Sequence, residues 1–578
     1  MAGPLTPLRV ALAQVNSRVG DIEGNARKIR EWIARARERG AELVLVPELA
    51  VTGYPPEDLL LKEHFLAAAR EATLDIAKEA EGIVALVGTP ERVEDVYNAL
   101  AVMADGEVQA LYRKNWLPNY GVFDEQRYFQ AGDQGAILDI GGVRVGLTVC
   151  EDIWVPGQPE SDEATAGATL IVNASASPYF AGKGRQREAM VVQRARDNLC
   201  AFAFCNMVGG QDELIFDGHS LVLDEEGRVL ARARGFEEAL LVVDIDPADA
   251  VGRRLRDVRR RALARDRGAT PDAPVTALGP VRDHAEPARP EPALQLGELE
   301  QMRLALELGL GDYVGKNGFS EIVIGVSGGI DSALTAALAV EALGPERVHC
   351  VSMPSRYSSE ETRRDARLLA ESLGTDFREL PIDDIAAAFH ATLAETFAGR
   401  EPDLAEENIQ ARIRGVLLMA LSNKFGWLVV ATGNKSELSV GYATLYGDMA
   451  GGFALLKDVF KTDVFRLARH VNERAARELI PQTIIDRAPS AELRDNQLDQ
   501  DSLPPYDALD RVLEAYVEQD RSREELSQDG FDPDVVERAL ALIDRAEYKR
   551  RQAPPGVRLT PKAFGRDRRT PITNGWRG

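Results

Sequence analysis

The pattern of apolar and polar positions divides the chain into two stretches of alternating strand and helix. From Leu8 to about Asp246, short apolar runs read as strands: one beginning at Leu8, then Leu43 to Val46, Ile83 to Val87, Val143 to Val149 and Leu170 to Asn173. Between them lie amphipathic stretches such as Glu63 to Ala80, with apolar residues at helical spacing. This pattern predicts an α/β layered domain. From Gly297 a helical pattern resumes, and Glu321 to Val326 forms a nearly continuous apolar strand that leads through a glycine turn into the helix Ala333 to Leu343. A second α/β domain begins there. Between Arg253 and Leu294 the chain is rich in Arg, Ala and Pro, and the segments Ala269 to Pro280 and His284 to Pro292 lack apolar periodicity. The expected division is therefore 5–250, a linker over 251–294, and 295–578. No internal repeat of about 20 to 50 residues is present, which sets solenoids and propellers aside.

Length and composition agree with two cores. A chain of 578 residues exceeds the size at which a single core stops growing, about 250 to 300 residues. The content of 45% apolar and 28% charged residues is that of an ordinary soluble globular protein. A formal charge of −23 opposes nucleic acid and anionic membrane surfaces. Apolar runs such as Leu43 to Val46 and Leu199 to Phe204 are far shorter than the roughly 20 residues a membrane helix needs. The N-terminus reads as a strand broken by Gln14 and Asn16, without the regions of a secretory signal. A cytoplasmic protein with neither nucleic-acid nor membrane partners is expected. Cysteines 150, 200, 205 and 350 have no CxxC spacing and no nearby histidine cluster, which argues against structural zinc. The stretch from Lys549 is basic and punctuated by Pro554, Pro555 and Gly556, and its plainest reading is a solvated tail.

Gly325-Val326-Ser327-Gly328-Gly329-Ile330-Asp331-Ser332 lies between the buried strand and its following helix. Glycines there let the backbone approach a ligand, and free N–H groups at the helix start attract an anion. The loop lacks the Gly-Lys-Ser/Thr ending of a Walker A motif, so no lysine of its own reaches a γ-phosphate, and its donors suit a pyrophosphate leaving group. A second apolar strand, Val429 to Ala431, ends in Thr432-Gly433-Asn434-Lys435-Ser436-Glu437, placing polar groups at the carboxyl end of a parallel strand.

The glycine loop resembles the signature of the N-type ATP pyrophosphatases, which adenylate a substrate oxygen and release pyrophosphate with magnesium bridging the phosphates. The run from Thr432 to Glu437 is similar to the NAD synthetase version of this region. The resemblance implies ATP contacts at Gly325 to Ser332 and Thr432, and a Mg2+ ion between Asp331 and Glu437, hard oxygen ligands that suit it. The helical segment Glu406 to Gly415 also resembles the part of NAD synthetases that meets the deamido dinucleotide. It implies a deamido-NAD contact at Asn408; Lys549 in Tyr548-Lys549-Arg550 and Lys461 in Phe460-Lys461-Thr462-Asp463 match family lysines, so that the resemblance as a whole implies deamido-NAD contacts at Asn408, Glu437 and Lys549 and a phosphate contact at Lys461.

In the first stretch, Val46-Pro47-Glu48-Leu49, Leu111-Tyr112-Arg113-Lys114 and Thr148-Val149-Cys150-Glu151-Asp152 each bring a candidate group to a strand end. A thiol needs a base to become a nucleophile, and a tetrahedral intermediate needs positive charge or N–H donors beside its oxyanion. Alone, Cys150 would be one more inert buried cysteine. Together the segments resemble the nitrilase superfamily, which implies Cys150 as nucleophile, Glu48 as general base and Lys114 as oxyanion stabiliser. Glu125 matches a second family carboxylate that orients the others. Tyr120, Ser177 and Lys183 match positions that hold glutamine in glutamine-dependent NAD synthetases.

The implied architecture is α/β: an N-terminal nitrilase-like α-β-β-α sandwich, and a C-terminal Rossmann-like doubly wound parallel sheet of ATP-pyrophosphatase type. The implied reaction is amidation of deamido-NAD to NAD, consuming ATP and glutamine and yielding AMP and pyrophosphate, by a homo-oligomer. Three other readings remain open at this stage: an amide-forming ligase acting on another carboxylate, an ammonia-dependent synthetase with a silent N-terminal scaffold, and an amidase whose C-terminal half only senses nucleotide.

Overall fold

The computed structural model describes residues 6–258, 260, 273–282 and 284–576, so residues 261–272 of the expected linker lie outside the described residues. The chain forms two units: residues up to Gln211 together with Ile215–Leu296, and Asp212–Leu214 together with the residues from Gly297 on.

In the first unit, alternation along each strand decides which side chains face which layer. The strands are β1 (Leu8–Gln14), β2 (Leu43–Leu45), β3 (Val84–Arg92), β4 (Val96–Ala104), β5 (Glu107–Arg113), β6 (Ile137–Ile140), β7 (Val143–Val149), β8 (Leu170–Ser175) and β9 (Ala201–Asn206). They continue with a short ribbon of β10 (Val208–Gln211) and β11 (Leu214–Asp217), then β12 (Leu221–Leu223), β13 (Val229–Arg232), β14 (Ala239–Ile245) and β15 (Val275–Leu278). One sheet runs β14-β1-β2-β3-β4-β5 and the other β13-β12-β9-β8-β7-β6-β15. Leu8, Val10 and Leu12 of β1 share a core with Val143, Val145 and Leu147 of β7, so the two sheets stack face to face. Ala11 and Ala13, on the opposite face of β1, pack with Ile29, Trp32 and Ile33 of the helix Ile22–Glu38. That helix starts at Asp21, whose carboxylate accepts the Gly24 N–H, and its apolar residues recur at three- and four-residue spacing. Beyond the second sheet, Ile171, Phe202 and Phe204 pack on Val191 and Ala195 of the helix Lys183–Asn198. The layers are α-β-β-α.

One expectation needs correction. The stretch read as an aperiodic linker contains β15, which adds in parallel to β6 through Val275↔Ile137 and Leu278↔Ile140. An edge strand gains its ladder from a neighbour that is distant in sequence, so it needs no internal periodicity of its own.

The second unit carries a five-stranded parallel sheet of β16 (Ile322–Gly325), β17 (Val348–Ser352), β18 (Asp376–Glu379), β19 (Leu428–Ala431) and β20 (Phe453–Ala454), in the order β18-β17-β16-β19-β20. The order reverses direction between β16 and β19, and at such a switch point the loops leaving both strands diverge to open a crevice. The glycine loop leaves β16 and the Thr432 loop leaves β19, so both candidate ATP segments arrive there. A further helical layer gathers Leu438, Leu509, Leu513, Leu540 and Ile543 into its own core. The basic stretch after Lys549 is not a solvated tail: Arg550, Val557, Leu559 and Phe564 are buried. Its charges are met within the fold, as where Arg558 pairs with Asp567 at 2.6 Å. Among the described residues, no helix is long and apolar enough to cross a membrane.

Candidate active sites

In the first unit the three sequence-predicted catalytic groups come from the ends of β2, β5 and β7. Past Leu45 the chain turns through Pro47 and Glu48, and Leu49 sits at a φ of 46°. Gly88 of β3 makes room for this turn: a Cβ there would lie 2.3 Å from the Leu49 nitrogen and from the Pro47 oxygen, so any side chain must push Glu48 out of place. Lys114 follows β5, with its N–H held by the Asn98 carbonyl at 2.8 Å. Cys150 begins a short turn after β7 at a φ of 42°, a left-handed conformation that is strained for a residue with a side chain.

Glu48 and Lys114 have fully buried side chains, and their charges are paired. Lys114 Nζ donates to Glu48 Oε1 at 2.7 Å and to both oxygens of Glu125 at 2.9 and 2.8 Å. Glu48 also accepts from Asn98 Nδ2 at 2.7 Å and from the Ala176 N–H at 3.0 Å. Glu125 accepts from the Tyr54 hydroxyl at 2.8 Å. Burial pushes the Glu125 carboxyl up to about 7 against the opposing pull of Lys114. Burial pulls the Lys114 ammonium down, but the charges of Glu125 and Glu48 outweigh it and hold it above the ordinary lysine range. Burial, followed by the Glu48 charge, raises the Cys150 thiol well above its usual value. The cysteine is therefore a thiol at neutral pH, and it can attack only as a neighbouring base takes its proton.

The three candidate glutamine contacts flank this cluster. The Tyr120 hydroxyl donates to both oxygens of Glu151, the residue after Cys150, at 3.0 Å each. Lys183 lays its ammonium 3.8 Å from the Trp154 ring centroid. Ser177 follows Ala176, whose N–H holds Glu48, and its own N–H donates to Asn206 Oδ1 at 2.9 Å. Tyr54, Asn98 and Ala176 escaped the sequence reading, and Asp152 was quoted in the cysteine motif without a role. Asp152 accepts the N–H groups of Val149, Asn115 and Trp116 and the hydroxyl of Tyr112, tying the cysteine turn to the lysine loop. A signal did exist for Asn98, the one amide in the otherwise apolar and aromatic run from Val96 to Ala104.

In the second unit the glycine loop is stitched by its own serines: Gly329 N–H donates to Ser327 Oγ at 3.2 Å and Ser332 Oγ to the Gly329 carbonyl at 3.0 Å. Gly328 has a φ of +82°, and a Cβ on it would lie 2.3 Å from the Thr362 carbonyl oxygen, so glycine is required twice over. The helix Ile330–Leu343 begins with no side-chain cap, which leaves its first N–H groups for an anion, with Val326 and Ile330 buried behind the loop. Thr432 follows β19 and is half-buried.

Asp331 and Glu437 meet around one cation, the ammonium of Lys461, at 2.5 Å and 3.1 Å. Asn434, quoted in the motif but given no role, caps the helix Lys435–Val440 through the Glu437 N–H and donates to Asp331 Oδ1 at 2.8 Å. Burial raises the Glu437 carboxyl to about 8, with Lys461 opposing. Lys461 is held above the ordinary lysine range by Asp331 and Glu437 despite its burial. Once Glu437 is ionised, as a second cation at the site would favour, two carboxylates stand against one lysine and leave a net negative cradle already shaped around a positive charge. The oxygen donors fit Mg2+, which takes one or two carboxylates and completes its shell with water and substrate phosphates. Among the described residues no cluster of three or more His, Cys, Asp or Glu forms a closed metal cage.

The candidate dinucleotide contacts converge on the loop after that helix. Asn408 Oδ1 accepts the Thr444 hydroxyl at 2.6 Å, and Lys549 Nζ donates to the carbonyls of Gly441 and Ala443 at 2.7 Å each. The Tyr442 N–H returns to the Glu437 carbonyl at 2.9 Å, so one loop links all three predicted residues.

Comparison with known proteins covers both units. The chain matches the Carbon-nitrogen hydrolase family over residues 9–254 and the NAD synthase family over residues 303–553. The glutamine-dependent NAD(+) synthetase of Thermotoga maritima is 49% identical over 576 residues, spanning 98% of each chain. That of Aquifex aeolicus is 46% identical over 569 residues, 98% of this chain and 99% of its own length. The structure of glutamine-dependent NAD+ synthetase from Acinetobacter baumannii, solved in complex with adenosine diphosphate, shares 40% identity and superposes with a TM-score of 0.74 over 99% of both chains. With this identity sustained across both units, the chain belongs to the family of the glutamine-dependent NAD(+) synthetases.

Proposed function

We propose that this chain makes NAD by amidating deamido-NAD with nitrogen taken from glutamine, converting ATP to AMP and pyrophosphate. The observation that carries this reading is the presence in one chain of a buried Glu-Lys-Cys set and an uncapped glycine-loop helix whose Asp331 faces Glu437. Neither set serves the other's chemistry, and together they supply and consume ammonia.

In the first unit Cys150 Sγ attacks the glutamine amide carbon while Glu48 takes the thiol proton. The Lys114 ammonium faces the developing oxyanion, and Glu125 holds that ammonium in place from its other side. As the tetrahedral intermediate collapses, the C–N bond breaks and ammonia leaves with the proton from Glu48. Water then hydrolyses the thioester and releases glutamate. Tyr120, Ser177 and Lys183 hold the glutamine.

In the second unit the free N–H groups of the glycine loop bind the ATP phosphates, and Thr432 contacts the nucleotide. A nicotinate carboxylate oxygen attacks the α-phosphorus, pyrophosphate leaves, and ammonia displaces AMP from the acyl adenylate. Asp331 and Glu437 would hold Mg2+, which when bound supplies charge neutralisation to the phosphates. Lys461 sets the spacing of that carboxylate pair and reaches toward phosphate, while Asn408, Glu437 and Lys549 position the dinucleotide.

The test uses glutamine labelled with 15N in its amide, plus ATP, magnesium and deamido-NAD. The label is expected to enter NAD, with one AMP formed per NAD. Formation of ADP, or label recovered only as ammonium while AMP accumulates with a different carboxylate, would sink the assignment.

The reading extends to a cytoplasmic homo-oligomer. All four cysteines are free, as suits a reducing compartment. Light scattering on the purified chain gives the assembly mass, and a strictly monomeric mass refutes the oligomer.

A further inference from the structure

Asn98 has no part in the reaction as derived above, yet its surroundings are costly to build. It lies on β4 and is only 1% exposed. Its Nδ2 donates to Glu48 Oε1 at 2.7 Å, its carbonyl accepts the Lys114 N–H at 2.8 Å, and its Oδ1 is buried without a partner. Chemistry fixes the amide's orientation: a carboxylate paired with an ammonium only accepts, so the nitrogen must face Glu48 and the oxygen must face away. A residue needed only for packing would be better replaced by an apolar one, which leaves no buried acceptor unpaired.

Counting acceptor positions gives the amide a purpose. A carboxylate offers about four lone pairs. Glu48 Oε1 receives both Asn98 Nδ2 and Lys114 Nζ, whereas Oε2 receives only the Ala176 N–H. The position left vacant lies on Oε2.

We propose that Asn98 is a positioning residue for thiol activation: together with Lys114 it saturates Glu48 Oε1 and locks the carboxylate, so that Oε2 is the oxygen that takes the Cys150 proton. The S–H bond breaks as the proton passes to Oε2, the sulfur electron pair forms the C–S bond while the amide C=O π pair moves onto the oxygen, and the proton later departs with ammonia as the C–N bond breaks. Lys114, Glu125, Cys150, Tyr54 and Glu151 are the titratable groups facing Glu48. Asn98 is neutral among them, so it fixes geometry without altering the charge balance that Lys114 sets. The inference rests on Glu48 acting as the base.

The experiment compares full-length Asn98→Leu, which keeps the side chain's size and removes both donor and orphan acceptor, with Asn98→Ala and Cys150→Ala. Glutamine hydrolysis, ammonium-fed NAD formation and thermal melting are measured for each. Both Asn98 variants should lose about 10²-fold in kcat for glutamine, with KM moving by no more than about twofold, since only proton transfer is impaired. Ammonium-fed synthesis should stay at the wild-type rate, and the melting temperature of the leucine variant should not fall. An effect confined to KM, or an alanine variant with unchanged kcat, overturns the proposal. If leucine overpacks and lowers the melting temperature, the alanine variant alone decides. Glutamine hydrolysis surviving in Cys150→Ala would instead defeat the underlying assignment and this inference with it.

Discussion

Cys150→Ala is expected to form no detectable NAD from glutamine and to form it from ammonium at the wild-type rate. Loss of the nucleophile removes the thioester route altogether, and such losses reach on the order of 10⁴-fold or more in kcat. The variant should fold normally, because Cys150 is a small buried residue whose sulfur carries no hydrogen bond that the turn depends on; the turn is held instead by Asp152 through the Val149 N–H. Replacement also removes a thiol that burial keeps protonated, so no charge is stranded. Product analysis with each nitrogen source provides the check. Glutamine-fed synthesis within tenfold of wild type would show that another group attacks the amide.

Asp331→Asn should lower AMP formation on the order of 10²- to 10³-fold with either nitrogen source, and raise the magnesium concentration needed for half-maximal rate. Its two oxygens have separate duties: Oδ1 accepts from Asn434 and Oδ2 from Lys461. An amide has one acceptor and one donor, so the variant must turn N–H groups toward either Asn434 or the Lys461 ammonium. The pair of carboxylates then becomes a single one against Lys461, and the net negative charge that favours a divalent cation is lost. Magnesium titrations of AMP release measure both effects. A variant that keeps its rate and its magnesium requirement would mean that Asp331 does not face the metal.

Much of where both candidate sites lie could be read from the chain because their motifs are local in sequence. The glycine loop works only between a strand and a helix start, and β16 and the helix Ile330–Leu343 flank it where the apolar pattern indicated. Glu48, Lys114 and Cys150 likewise mark strand ends, and β2, β5 and β7 deliver them there. Two elements of the fold also escaped detection. β15 lacks a periodic signature since a single edge ladder is enough to hold it. The basic C-terminal stretch looked solvated because charge predicts exposure on average, yet Arg550 is buried with Glu547 at 2.9 Å.

By itself the sequence determined the division into two α/β stretches, the strand-end positions of the candidate groups and the place of the glycine loop between a strand and a helix, all of which depend on periodicity and on residue types adjacent in the chain. Only the tertiary structure decided which groups share a hydrogen bond. Glu48 meets Asn98 across 50 residues and Ala176 across 128, while Asp331 meets Lys461 across 130. Strand order creates these meetings by bringing distant strand ends and the helices that follow them together, and for Asn98, which lies on β4, one residue of slip would turn the side chain to the opposite face. The choice of Glu48 oxygen, the orphaned amide of Asn98 and the lysine between two carboxylates are consequences of packing at a distance, which no local pattern records.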